Sequence, residues 1–123
     1  MKSIAIVGAS TDRSKFGNKC VRAYQHEGWE VVPINPKGGE IEGVEAAVSL
    51  ADARPTDRIA LYLAPNLLRP LLPAIAERES PEGVYFNPGT WTPELLAEAK
   101  EMGILVRQAC AIVAIGLSPS QFP

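Results

Sequence analysis

The stretch Ser3-Ile-Ala-Ile-Val-Gly-Ala-Ser10 constrains the fold of this chain more than any other. Ile4, Ala5, Ile6 and Val7 form a continuous apolar run, the pattern of a parallel strand covered on both faces. Gly8 lets the backbone turn sharply, and the small side chains of Ala9 and Ser10 leave room for a ligand to approach the main chain. A buried strand, a small-residue turn and a helix to follow offer backbone N–H groups to a phosphate.

The remaining chain supplies the partners such a strand needs. With 123 residues it is expected to form one domain. Its hydrophobic content of 46%, with 21% charged residues, is that of a globular protein rather than a disordered one. A net charge of −2 argues against a nucleic-acid surface. The sequence goes straight into a strand with no signal peptide, and no apolar run approaches the ~20 residues that span a bilayer. Cys20 and Cys110 lie far apart, with no CxxC spacing and no histidine cluster beside them. They read as reduced thiols of a cytoplasmic protein, not as a disulfide or a metal site.

Strands and helices alternate along the chain. Thr11 to Phe16 is a polar, donor-rich loop. A helix is predicted from about Lys19 to Glu27, with Asn18 as N-cap, Cys20, Val21 and Tyr24 as its apolar stripe, and Gly28 past its end. Trp29 to Ile34 is the second strand, and Pro33, which removes a ladder donor, places it near an edge or makes its end irregular. Ile41 to Val44 reads as a short β-like excursion and Ser49 to Ala53 as a turn of helix. Arg58 to Leu63 is the third strand. The helix expected from Asn66 to Glu79 must start late or kink, because Pro70 and Pro73 fall inside it. The fourth strand begins at Glu82 or Gly83 and ends at Phe86. Thr92 caps another helix, with Pro93 at its first position, Glu94 at its positive end, and Leu95, Leu96, Ala99 and Met102 along its buried face. Ile104 to Arg107 is the fifth strand. The apolar segment Gln108 to Ile115 is expected to pack on the domain or on a partner chain. This order predicts an α/β, Rossmann-like, doubly wound parallel sheet of about five strands with helices on both faces.

The residues ending the strands are the informative ones. They are Gly8-Ala9-Ser10, Asn35-Pro36-Lys37, Ala64-Pro65-Asn66, Asn87-Pro88-Gly89-Thr90 and Gln108-Ala109-Cys110. In an open parallel sheet these ends share one rim, and ligands bind in the crevice there. The GxGxxG dinucleotide fingerprint is missing, since Ser10 and Arg13 stand at its later glycine positions. The acidic residue that would hold an NAD ribose is missing too. Asn35 and Lys37 occupy that region, and a cation there suits a ribose bearing an extra phosphate, as in NADP or coenzyme A. Lys37 also reads as a solvated loop lysine. Arg13 and Lys15 add positive charge where a pyrophosphate would meet the first helix.

Gly8-Ala-Ser10, Gly28, Pro33-Ile-Asn-Pro-Lys37, Pro65, Gly103 and Cys110, taken in order, resemble the small CoA-binding protein family. That family is similar to the nucleotide-binding domain at the start of the succinyl-CoA synthetase α subunit. The resemblance implies that Gly8 to Thr11 and the loop through Phe16 to Gly17 hold the pyrophosphate. It implies further that Lys37 faces the phosphorylated ribose, that Pro65 flanks the pocket, and that Asn87, Pro88 and Gly89 line its floor. Two departures stand out: the loop from Thr11 to Phe16 is longer than in the synthetase, and an apolar Ala111–Leu117 replaces the family's charged tail. The domain that carries the synthetase's phosphohistidine has no counterpart here.

Catalysis finds little support in these residues. His26, the only histidine, lies late on the first helix, away from the rim, and reads as solvated. No nucleophile–base pair is evident. Asp12 reads as a turn cap, and Cys110 as a structural thiol sooner than a nucleophile. Glu94, Glu98 and Glu101 form a solvated helix face. The expected function is therefore binding of coenzyme A or an acyl-CoA, as a non-catalytic carrier, sensor or regulatory protein. The alternatives are a small NADP-dependent oxidoreductase or redox sensor, and an interaction module with a vestigial pocket whose segment 111–117 forms a homodimer.

Overall fold

The computed structural model describes residues 1–123. Its strands are β1 (Ser3–Val7), β2 (Glu30–Ile34), β3 (Glu40–Ile41), β4 (Val44–Glu45), β5 (Arg58–Leu61), β6 (Val84–Phe86) and β7 (Val106–Arg107). Five of them form one parallel sheet in the order β2-β1-β5-β6-β7. The other two, β3 and β4, pair as a small antiparallel hairpin apart from the sheet. The fold is α/β and Rossmann-like, as expected. Strand β2 is an edge strand, which explains how Pro33 is accommodated without its N–H.

Each buried strand divides its side chains between two cores, as the period of two requires. Ala5 and Val7 of β1, Ile59 and Leu61 of β5, and Val84 and Phe86 of β6 face one core. The helices α2 (Pro65–Leu68), α3 (Leu72–Ala76) and α4 (Pro93–Glu101) cover it with Leu68, Leu72, Ile75, Leu95 and Leu96. Ile4, Ile6, Ala60 and Tyr85 face the other core, which is covered by α1 (Phe16–His26) through Cys20, Val21 and Tyr24. Ala111 and Ile112, both fully buried, complete this second core. The C-terminal apolar segment thus packs on its own domain. Val113, 60% exposed, is the large side chain it leaves outside.

Several boundaries differ from the sequence expectation. Helix α1 starts at Phe16 rather than Lys19, so Asn18 is not its N-cap but a fully buried residue of the first turn. The helix expected over 66–79 is broken into α2, a 3-10 turn over Arg69–Leu71, and α3, because Pro70 and Pro73 each remove a helical donor. The fifth strand shortens to Val106–Arg107. Met102 falls past the end of α4 and is 45% exposed. Thr92 caps α4 as predicted, accepting a hydrogen bond from Leu95 N–H at 3.2 Å. No helix is long and apolar enough to cross a membrane.

Candidate functional site

The chain order reverses between β1 and β5, since β1 continues to β2 on one side and β5 leads to β6 on the other. In an open α/β sheet a cleft forms outside the carboxyl ends of the strands at this point. Here it has a volume of about 510 Å³. The β1 end contributes Gly8, Ala9 and Ser10, and the start of α1 contributes Lys15, Phe16 and Gly17. Asn35 and Pro36 come from the β2 end, Tyr62, Leu63 and Ala64 from β5, and Pro88, Gly89 and Thr90 from β6.

Most of the residues picked from the sequence therefore meet in one cleft, and some do not. Thr11 and Arg13 are exposed on the loop beside it, and Arg13 Nε lies 3.8 Å from the Glu42 carboxylate. Lys37 is exposed outside the cleft lining, with its N–H donating to Asn35 Oδ1 at 2.8 Å. Pro65 sits at the first position of α2, behind Ala64. Asn87 is buried and internally committed: its Nδ2 donates to the Leu61 carbonyl at 3.0 Å and its Oδ1 accepts from Ala111 N–H at 2.8 Å. It ties three segments together instead of offering its amide to the cleft. Tyr62 and Leu63 are lining residues that the sequence does not single out, and Thr90 is one that it marks only as part of a strand end. Tyr62 and Leu63 read there as the end of an apolar strand, and their place after its last paired residue is the signal that marks them.

Close backbone packing builds the turn. A Cβ on Gly8 would lie 2.5 Å from the Tyr62 carbonyl oxygen, and Gly8 itself has φ +88°. A Cβ on Gly17 would lie 2.3 Å from the Gly8 carbonyl oxygen. Glycine at both places lets the start of α1 rest directly on the β1 turn, and the turn on β5.

Polar side chains then orient this loop. Asn35 Nδ2 donates to the Ala9 carbonyl at 2.8 Å, and Asn18 Nδ2 donates to the Ser10 carbonyl at 2.8 Å. Arg22 donates to the Arg13 carbonyl at 2.9 Å, and its Nε donates to Asn18 Oδ1 at 2.8 Å. Asp12 accepts from the N–H and hydroxyl of Ser14, and these bonds hold its carboxyl below the ordinary carboxylate range. The N–H groups of Ala9, Ser10, Thr11 and Arg13, by contrast, donate to no acceptor within the protein. Those of Phe16 and Gly17 belong to the first helical turn, where no intrahelical carbonyl is available. Side chains thus hold three of the loop's carbonyl oxygens, those of Ala9, Ser10 and Arg13, while these six donors remain free and the N–H groups of Asp12, Ser14 and Lys15 bond within the loop. Together with the positive end of α1, an 11-residue helix, this suits an anion. Lys15 supplies the one charged side chain of the lining.

A narrower apolar slot of about 210 Å³ adjoins the cleft and shares Gly8, Pro36 and Leu63 with it. Val7, Ile34, Leu50, Leu71 and Ile75 form much of its wall. On the other side of the sheet Tyr62 points its hydroxyl toward the Cys20 thiol and has no hydrogen bond of ordinary geometry. Burial pushes the Cys20 thiol up to about 12 and raises Tyr62 as well, so both remain protonated at neutral pH.

The family model of the CoA-binding domain matches residues 2–116. The chain belongs to the CoA-binding domain family. Among curated proteins it is similar to an ADP-forming acetate–CoA ligase of Methanocaldococcus jannaschii, with 31% identity over 83 residues. That match covers 68% of this chain and 11% of the ligase. Among solved structures, this CoA-binding domain resembles a Thermus thermophilus protein with a TM-score of 0.82 and 32% identity, covering 94% of this chain and 88% of the other. A conserved hypothetical protein of Pyrococcus furiosus gives a TM-score of 0.80 and 26% identity, over 93% of this chain and 99% of that one.

Proposed function

We propose that the cleft binds coenzyme A, or an acyl-CoA, and that the domain acts as a non-catalytic carrier, sensor or regulatory element. The observation that carries this reading is the loop from Ala9 to Gly17, where side chains tie back the Ala9, Ser10 and Arg13 carbonyls while the N–H groups of Ala9, Ser10, Thr11, Arg13, Phe16 and Gly17 stay unpaired. A diphosphate is the group that such donors suit, and CoA carries one between its two halves. The apolar slot beside Pro36 is of the size and character for the adenine ring, and an enclosed apolar space of about 150 Å³ holds a ring as large as benzene. This orientation brings the adenosine ribose toward the β2 end, where Asn35 and Lys37 lie. Lys37 is then the cation for its 3′-phosphate. The cleft lining contains no carboxylate or imidazole, which favours binding over acid–base chemistry.

A thermal-shift series with CoA, 3′-dephospho-CoA, NADP and NAD tests the reading. A ligand at 100 times its Kd stabilises the native state by about 2.7 kcal/mol, a shift of several degrees for a domain of this size. CoA is expected to give the largest shift, and removing its 3′-phosphate to reduce it. A shift with NADP alone would replace this reading with the oxidoreductase one. No shift with any of them would favour an interaction module.

A further inference from the structure

A second cavity, of about 170 Å³, adjoins the cleft on the side away from the adenine slot. Its walls are Phe16, Tyr62, Asn87, Pro88, Cys110 and Pro119. Phe16, Tyr62 and Pro88 also line the main cleft, so the two spaces share those walls. We propose that this cavity is an acyl subsite, selective for a short, uncharged acyl group on the sulfur end of a CoA thioester. The inference rests on the CoA reading above and assigns the other end of the same ligand.

Direction is the first argument. With the diphosphate on the Ala9–Gly17 loop and adenine on the β2 side, the pantetheine arm runs toward β6, where this cavity lies.

Chemistry is the second. None of the walls carries a charge, and the Asn87 amide is already occupied by the Leu61 carbonyl and the Ala111 N–H. The remaining polar group is the partly exposed Cys110 thiol, since the Tyr62 hydroxyl is buried toward Cys20 and Tyr62 offers the cavity its ring. A dicarboxylic acyl group would bury its free carboxylate here without a cationic partner, which is costly.

Size is the third. An apolar space of about 150 Å³ holds benzene, roughly six heavy atoms. The sulfur and butyryl group of butyryl-CoA together amount to about the same. Pro119 closes the cavity from the C-terminal segment, where the capping box of Ser118 and Gln121 fixes the turn.

Calorimetric titration with CoA, acetyl-CoA, butyryl-CoA and succinyl-CoA tests the assignment. Each buried methylene is worth about fourfold in affinity. Butyryl-CoA is expected to bind at least tenfold more tightly than CoA, and succinyl-CoA more weakly than butyryl-CoA. Cys110→Trp, which fills the cavity, should bring the butyryl-to-CoA ratio down toward one. Cys110→Ala, a mild change that enlarges the cavity, should shift the preference toward longer acyl groups and serves if the tryptophan variant does not fold. Equal affinity for all four ligands, or a ratio that neither variant alters, overturns the subsite while leaving CoA binding intact. Failure of CoA itself to bind overturns the CoA reading and the subsite with it.

Discussion

Gly17, the second residue of α1, lies so close to Gly8 at the end of β1 that a Cβ on it would sit 2.3 Å from the Gly8 carbonyl oxygen. Helix start and strand end are therefore in direct backbone contact, which is what brings the N–H groups of both onto one loop. Gly17→Ala would gain about 1 kcal/mol of helix propensity. It would also force a methyl group into backbone that cannot move away, at a cost of about 1–3 kcal/mol. The variant is expected to melt at a lower temperature and to bind CoA more weakly. A denaturant titration paired with a binding isotherm measures both effects.

Asn35→Ala removes the donor that holds the Ala9 carbonyl. An unpaired, partly buried carbonyl costs about 1–3 kcal/mol. Freed, it also adds a repulsive oxygen beside the proposed diphosphate site. We expect a loss of CoA affinity of about tenfold or more, and a smaller effect on binding of a ligand fragment that lacks the diphosphate, such as pantetheine. Calorimetry of the two ligands separates these cases.

Much of this site is legible in the sequence, for a definite reason. Strand ends are marked by glycine, proline and asparagine because turns need them, and the parallel sheet that the strand–helix alternation predicts brings Gly8, Asn35 and Pro88 to one rim. The start of α1 is not legible in the same way. Gly17-Asn18 looks like a helix cap, yet Asn18 is buried and spends its amide on Ser10 and Arg22. Lys15 takes the cap position with no side-chain bond to the helix, which leaves the first-turn donors free. Tyr62 is hidden because an aromatic residue after an apolar strand reads as core. Asn87 sits on the rim as predicted, but a single sequence does not reveal that its amide is already spent on long-range backbone partners.

At the opposite end of the sheet, Arg58 lies between the rings of Trp29 and Tyr85, at 4.7 and 5.2 Å from their centroids. It also donates to Glu82 at 2.9 Å and to the Tyr24 hydroxyl at 3.2 Å. A lysine cannot reproduce this combination of planar stacking and forked donation. Arg58→Lys is expected to cost about 1–2 kcal/mol of stability. CoA affinity should be unchanged, because Arg58 opens β5 and the cleft lies past its other end. Unfolding curves and a binding isotherm on the same preparation check both.

Stability should form a plateau across neutral pH and fall on either side. Asp57 is held below its ordinary value of 3.8 first by the Ser3 N–H, and Glu82 below 4.5 first by Lys2. Groups with lowered values contribute fully above those ordinary values, and the contribution is lost as pH falls through the lowered ones. Cys20 behaves in the opposite sense: raised by burial from 9.0 to about 12, it contributes fully below pH 9, and this is lost as the pH climbs toward 12. Urea midpoints measured against pH should show both limbs, and Cys20→Ala should make the alkaline limb shallower.

The central claim is that the unpaired N–H groups of the Ala9–Gly17 loop hold the diphosphate of CoA. Amide chemical shifts recorded while CoA is titrated into isotopically labelled protein test it most directly. The account predicts that the largest changes fall on Ala9, Ser10, Thr11, Arg13, Phe16 and Gly17, with smaller ones near Pro36 and Ala64. Saturable CoA binding that leaves those amides unmoved would contradict it.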